Sequence, residues 1–386
     1  MKTQWKVAKI GNVCTVIAGQ SPEGKFYNKD QNGLPFYQGK KEFAEKFIGE
    51  ATTWTTSVTK EAKAGDILMS VRAPVGPTNF STQEICIGRG LAAIRAGKDV
   101  DREFLFNFFQ KFENEIVANK GAVFDSISKT QIEQIEIPLP PIDEQKRIVG
   151  ILDEVFEGVA KAKENVEGNL RNVSEVFEAY LQNVFADRDG LWERKTLKDV
   201  SITFGRGKSK HRPRNDKKLY GGKYPFIQTG DIRNSDHYVT EYSQTYSEAG
   251  LAQSKLWPKG TICITIAANI AETGILGFDS CFPDSVIGIV INPKMTEINF
   301  VEYLLQSFKT ILQAKGKGSA QDNLNLATFE NQLFPFPKLS EQKSIVTKLD
   351  ALSTETKKLE AIYKTKLNHL EELKKSILKK AFNGEL

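Results

Sequence analysis

The sequence predicts an α+β chain in which two similar mixed α/β domains are held apart by two long antiparallel coiled-coil helices, in a pseudo-two-fold arrangement. Three observations carry that expectation. The chain repeats itself: Pro138, Pro140, Glu144, Gln145, Lys146, Ile148, Val149, Leu152 and Asp153 meet Pro335, Pro337, Glu341, Gln342, Lys343, Ile345, Val346, Leu349 and Asp350 at a constant offset of 197. After each proline run, apolar residues recur at helical spacing for about forty residues. Before each run stand short β-branched stretches bounded by Gly and Pro, the pattern of strands. A length of 386 residues, 40% hydrophobic and 26% charged, suits two or three domains, because one core rarely grows beyond roughly 250–300 residues.

The first domain is expected over 1–137 and its repeat over 189–334. Strands are read at GDILMSV (65–71) and EICIG (84–88), and again at GTICITIA (260–267) and SVIGIVI (285–291). One amphipathic helix follows in each, REFLFNFFQKF (102–112) and NFVEYLLQSFK (299–309). Between these elements the offset drifts, with Gly65 and Cys86 meeting Gly260 and Cys281, and Pro35-Phe36 meeting Pro225-Phe226. Trp5 likewise meets Trp192. Drift of this kind places insertions in loops.

The helical regions are expected over 138–188 and 335–386. Proline disfavours helix in the residue before it, so the first helix cannot precede Ile142, and Asp143 and Ser340 are the expected N-caps. One seam runs through Ile148, Leu152, Val155, Val159, Ala162, Val166, Asn169, Val173, Val176 and Tyr180. The other runs through Ile345, Leu349, Leu352, Thr356, Leu359, Tyr363, Lys366, Leu370, Leu373 and Ile377, and Asn169, Thr356 and Lys366 are the polar interruptions that would fix register. Helices of roughly 60 Å would overhang a single domain, so they are expected to pair with each other, antiparallel, returning the C-terminus near Met1. Val176, Phe177, Ile362 and Leu367 are read as exposed positions that partner helices would cover.

Composition excludes several functions. No window approaches the roughly 20 apolar residues of a membrane span, and the start MKTQWKVAKI has no apolar signal core, so a soluble cytoplasmic protein is expected. Cys14, Cys86, Cys263 and Cys281 lie far apart with no CxxC pair and only three histidines, which argues against a metal site. The only Pro-Pro pair, Pro140-Pro141, sits between leucine and isoleucine and not in the Asn/Asp-Pro-Pro-aromatic setting of an adenine methyltransferase. Gly207-Lys208-Ser209 lacks a phosphate loop's glycine five residues earlier, where the chain has Ile202. The two Glu-Gln-Lys triplets sit in first helical turns, where a glutamate meets the helix dipole.

The net charge of +5 is small, but its distribution is uneven. From Ser201 to Lys223 eight lysines and arginines face one acid, Asp216, a net +7, and the remaining residues sum to about −2. A Gly-, Pro- and Asn-rich loop with alternating cations suits a phosphate backbone, where each neutralised phosphate releases counterions.

In the order of its parts the chain resembles the DNA specificity subunit of type I restriction-modification enzymes. The resemblance rests on PLPPIDEQKRIVGILD, PFPKLSEQKSIVTKLD and the closing KKSILKKAFNGEL, with GDILMSVRAPVG (65–76) and GTICITIAANIAETGILGFDSCFPDSVIG (260–288), and it covers essentially the whole chain. It implies that 1–137 and 189–334 are target recognition domains, each reading half of an asymmetric split site in double-stranded DNA. It implies that 138–188 and 335–386 are spacer helices that dock modification subunits, two in number. Those subunits would hold S-adenosylmethionine and methylate adenine, restriction and translocation subunits would cut, and this chain would hold no cofactor and catalyse nothing. The rival readings are a coiled-coil scaffold and a stand-alone DNA-modifying enzyme.

Candidate DNA-contacting residues follow from chemistry: amides, hydroxyls and cations at strand ends for base edges, and cations for phosphates. In the first domain they are Gln20, Ser21, Lys25, Gln38, Lys40, Lys41 and Arg72. In the second they are Arg206, Lys208, Lys210, His211, Arg212, Arg214, Lys217, Lys218, Gln228 and Asn269, with Ser285 beside them.

Overall fold

The computed structural model describes residues 5–118, 126–186, 191–211, 213–267, 270–309, 311–312 and 326–386. The chain divides into two compact units, Met1–Gly168 with Tyr363–Leu386, and Asn169–Ile362. Each unit therefore holds one of the predicted α/β domains together with a piece of both long helices.

The first unit is built on an antiparallel four-stranded sheet in the spatial order Cys14–Ala18, Leu91–Ala96, Ile67–Ser70, Thr78–Phe80. A second, five-stranded sheet contains Leu34–Tyr37 lying parallel to Ile85–Ile87, with Phe36 opposite Cys86. The second unit repeats this. Its strands Ser201–Arg206, Val286–Ile291, Ile262–Thr265 and Thr273–Leu276 follow the same order, extended by Tyr238–Val239. Its Tyr220–Phe226 lies parallel to Ser280–Cys281, with Phe226 opposite Cys281. The predicted strands form, each trimmed by a residue or more at its ends.

One element in each unit was not expected. The proline runs exclude helix before Ile142 but announce no strand, yet Glu136–Leu139 pairs antiparallel with Lys6–Lys9 and Phe334–Phe336 with Glu193–Lys195. Proline lacks the N–H for a two-sided ladder, and these ribbons have only two strands, so Pro138 and Pro335 sit at edges where no donor is required.

The long helices run Ile142–Phe185 and Leu339–Phe382. They begin one residue before the expected caps, so Asp143 and Ser340 lie inside the first turn, where Asp143 complements the dipole without capping. In the first unit, Ile148 and Leu152 share a core with Phe104 and Phe108 of helix Arg102–Ala118 and with Leu378, Ala381 and Phe382. In the second, Val346 and Leu349 share a core with Phe300 and Leu304 of helix Ile298–Ser307 and with Leu181 and Phe185. The start of one helix meets the end of the other in both, which is antiparallel pairing. Leu181 and Phe185 stand 197 residues before Leu378 and Phe382, so the repeat extends through the helix ends. Gly384 lies beside the Trp5 ring, and Leu386 O accepts from Arg147 Nη2 at 2.8 Å, which returns the last residues to the first strand's neighbourhood. Met1 itself lies outside the described residues.

The seams differ from the expected ones in their second halves. Ile148 to Val166 are buried or half-buried as read, but the face then continues through Leu170, Val173, Phe177 and Leu181, while Asn169, Val176 and Tyr180 are exposed. On the other helix Leu367 faces inward, and Leu359, Lys366 and Leu373 are exposed. A helix has 3.6 residues per turn, so a stripe held to shorter steps drifts off the buried face until a four-residue step restores it. Asn169 and Lys366 therefore fix no register through burial. Thr356 is buried, and its hydroxyl is satisfied by Leu352 O and Ser353 O of its own helix.

Gln145 and Gln342 tie each helix start to its domain. Gln145 is fully buried; its Oε1 accepts from Asp101 N at 2.8 Å, and its Nε2 donates to Asp99 O at 3.0 Å and Pro140 O at 2.9 Å. Gln342 Oε1 accepts from Thr296 Oγ1 at 2.8 Å and Glu297 N at 2.9 Å, and its Nε2 donates to Pro337 O at 2.9 Å. The glutamine of the repeated triplet is thus a buried amide clamp.

Candidate nucleic-acid interface

In both units the same three segments converge at one surface corner. In the first, the chain leaves strand Cys14–Ala18 through Gly19, whose N–H donates to Leu91 O at 2.9 Å. A Cβ on Gly19 would stand 2.1 Å from Gly88 O, so only glycine allows this approach. Gln20 and Ser21 follow, and Ser21 Oγ donates to Gln38 Oε1 at 2.8 Å and accepts from Arg89 N at 3.3 Å. Val71 N donates to Gly90 O at 3.0 Å, which brings exposed Arg72 alongside. Gln20, Ser21, Gln38 and Arg72 are therefore brought together around Arg89, which sequence reasoning passed over because it stands in a Gly-Arg-Gly turn far from them in the chain.

The second unit repeats the corner with other side chains. Gly207 N donates to Val286 O at 2.9 Å, and a Cβ there would stand 2.3 Å from Phe282 O. The shared register of Phe36 on Cys86 and Phe226 on Cys281 makes Gln228 the counterpart of Gln38. By the same alignment Lys208 stands for Gln20, Ser209 for Ser21 and Asp284 for Arg89. Gln228 Nε2 donates to Gln244 Oε1 at 2.8 Å. Ser285 O accepts from Ile266 N at 2.9 Å, as Gly90 O does from Val71.

Arg206, Lys208 and Lys210 are exposed while Gly207 and Ser209 are buried, so an extended segment puts three cations on one side. Not all the loop's charge is free. Arg214 Nη2 donates to both carboxylate oxygens of Asp284 at 2.9 and 3.0 Å, and Arg206 Nε donates to Asp284 O at 2.7 Å. Asp216 holds the loop ends: Lys218 N donates to it at 3.1 Å, His211 Nε2 lies 2.9 Å away and Lys218 Nζ 3.2 Å away. Those contacts, led by the Lys218 amide, hold its carboxyl below the usual carboxylate range. Lys223 pairs with Glu248 at 3.2 Å. Lys208, Lys210 and Lys217 make no ion pair among the described residues. Arg212 and Asn269 lie outside the described residues.

Lys255 joins the cationic group unforeseen. Its ammonium sits 3.6 Å over the Trp257 ring, and burial, with the neighbouring Lys208 charge, pushes its pKa down. In the first unit Lys25 is paired with Glu23 at 2.6 Å, and Lys40 and Lys41 lie exposed on the short turn Lys40–Glu42 just past Gln38. The first corner is thus mostly neutral amide and hydroxyl with two arginines, and the second is cationic with one embedded carboxylate. Exposed side chains of these kinds at strand ends suit base-edge hydrogen bonding flanked by phosphate contacts.

The cysteines are buried, Cys86 and Cys281 at equivalent strand positions, and no group of three metal-binding side chains occurs among the described residues. Nor is any helix of the described residues long and apolar enough to cross a membrane.

A family model described as the type I restriction modification DNA specificity domain matches residues 2–167 and 190–371. A Methanocaldococcus jannaschii protein named for the type I restriction enzyme MjaX specificity subunit is 41% identical over 170 residues, which span 42% of this chain and 40% of that protein. The type I restriction enzyme EcoBI specificity subunit of Escherichia coli is 22% identical over 417 residues, 99% of this chain and 86% of that one. Among solved structures, one from work on complex assembly and conformational transition of the type I R-M system superposes with a TM-score of 0.81 at 20% identity, covering 100% of this chain and 99% of the other. At that identity the match speaks for the fold alone.

Proposed function

The chain belongs to the type I restriction modification DNA specificity family, and from that premise we propose that it reads an asymmetric, bipartite site in double-stranded DNA, one half per recognition domain. The domains proposed are 1–137 and 189–334, with 138–188 and 335–386 as spacer helices. One observation carries the reading: a duplicated scaffold presents matching surface corners whose side chains differ. Duplication explains two half-sites, and the exchange of Gln20 and Arg89 for Lys208 and Asp284, around a serine kept at 21 and 209, explains why the halves differ in sequence.

In this reading the second loop grips phosphate through Arg206, Lys208, Lys210, Arg214, Lys217 and Lys218, with His211 and Arg212 beside them. Lys25, Lys40 and Lys41 serve the first domain. Phosphate contacts set register on the duplex, and Gln20, Ser21, Gln38 and Arg72, with Gln228 and Asn269, meet base edges. Half-sites on one face of B-DNA stand about one turn, roughly 34–36 Å, apart. The chain itself is proposed to be non-catalytic and cytoplasmic. Two modification subunits would dock on the helices and supply S-adenosylmethionine, and restriction and translocation subunits would join them.

Methylation-motif sequencing of cells with and without the gene tests this. An interrupted, asymmetric adenine-methylated motif that disappears with the gene is expected. A continuous motif, or no change, would overturn the reading.

A further inference from the structure

Asp284 is an acid set among the cations of the second corner, and it stands where the first unit has Arg89. Its carboxylate occupies Arg214, and its carbonyl occupies Arg206. The Arg214 side of the contact is anchored independently, because the Tyr220 hydroxyl donates to Arg214 O at 2.7 Å. Fold stability does not explain the pair: the side chains are 51% and 39% exposed, and ion pairs in such surroundings contribute little. A carboxylate held by a guanidinium nitrogen does, however, take up hydrogen-bonding capacity that a DNA phosphate would use.

We infer that Asp284 is a built-in competitor for DNA phosphate, one that keeps Arg214 occupied and lowers the chain's affinity for DNA of arbitrary sequence. The inference rests on the DNA-recognition reading. Any duplex entering the second corner must displace Asp284 from Arg214 and leave an uncompensated carboxylate near its backbone. Random DNA offers nothing in return. A cognate half-site recovers the loss through base contacts such as that at Gln228, so the tax falls on non-specific binding and widens discrimination. The first unit, with Arg89 making no ion pair among the described residues, carries no such competitor.

The full chain assembled with its methyltransferase subunits would be titrated with a random-sequence duplex at fixed ionic strength. Asp284→Asn is expected to tighten binding by about two- to five-fold, the range of one exposed ion pair, with Asp284→Glu restoring the wild-type value. In an Arg214→Ala background the same Asp284→Asn change is expected to gain less, since only the repulsion between the carboxylate and the duplex backbone is then removed and no guanidinium is released. Unchanged affinity in Asp284→Asn, or an equal gain without Arg214, would overturn the inference and leave DNA recognition standing. Wild-type assembly that fails to bind duplex DNA at all would overturn both.

Discussion

Truncating Gln145 to alanine should loosen the first spacer helix from its domain, and the structure sets the size of the effect. The side chain is fully buried and makes three hydrogen bonds at 2.8, 3.0 and 2.9 Å. At about 1 kcal/mol net for each, the loss is about 3 kcal/mol, and more if the Asp101 amide is left without a partner. For a unit of this size about 3 kcal/mol lowers Tm by roughly 6–12 °C. Gln342 makes three bonds in the second unit, so Gln342→Ala should cost about the same there. Calorimetry on the full chain measures the shift, and hydrogen exchange locates it: Gln145→Ala should expose amides around Asp101–Phe104, and Gln342→Ala those around Glu297–Phe300. A shift below about 2 °C in both variants, or exchange unchanged at those helix starts, would refute the clamp.

Phe185→Ala and Phe382→Ala, at equivalent core positions, should each destabilise their own unit by about 3–5 kcal/mol, read by denaturant titration. Replacing Lys208, Lys210 and Lys217 with alanine should flatten the salt dependence of duplex binding by about 0.9 in log–log slope per lysine, whereas Lys25→Ala, already paired with Glu23, should change it less. The buried pair of His237 Nδ1 and Glu302 Oε2, 2.8 Å apart, sets a pH dependence in the second unit. Burial opposes the charged ring, but Glu302, Asn299 and Asp350 outweigh it and raise the His237 pKa. A raised folded pKa means the stabilisation is complete below the ordinary imidazole range and is lost as pH climbs through the folded value. Thermal melts of His237→Ala across that range should show the dependence removed.

The same pair marks where the units differ inside. Asp101 and Glu297 both cap their helices, Asp101 Oδ1 accepting from Phe104 N and Glu297 Oε2 from Phe300 N, which sets Phe106 opposite Glu302 in the alignment. Phe106 stacks on Phe80 at 4.6 Å, whereas Glu302 is buried against His237 and accepts from Thr273 Oγ1 at 2.8 Å. An apolar stack and a polar network thus fill the same place. Nothing in FLFNFF or NFVEYLL announces this exchange, because Phe80 and His237 come from strands or loops far off in sequence.

The local pattern was enough to show the repeat, the long helices, most strands and the basic stretch 201–223, and the resemblance in those segments named the family. Each rests on neighbouring residues: proline steers its own neighbours, helical periodicity repeats every few positions, and a charge excess is a property of one segment. Tertiary structure decided the rest. It turned the proline runs into strands by supplying Lys6–Lys9 and Glu193–Lys195 as partners, and moved the seams from Asn169 to Leu170 and from Lys366 to Leu367 as the helical twist accumulated. It also assembled the two corners, placing Arg89 beside Ser21 and Gln38, and Asp284 against Arg206 and Arg214. Those contacts span some 17 to 78 residues of chain and close only when two sheets fold together, so no reading of adjacent residues contains them.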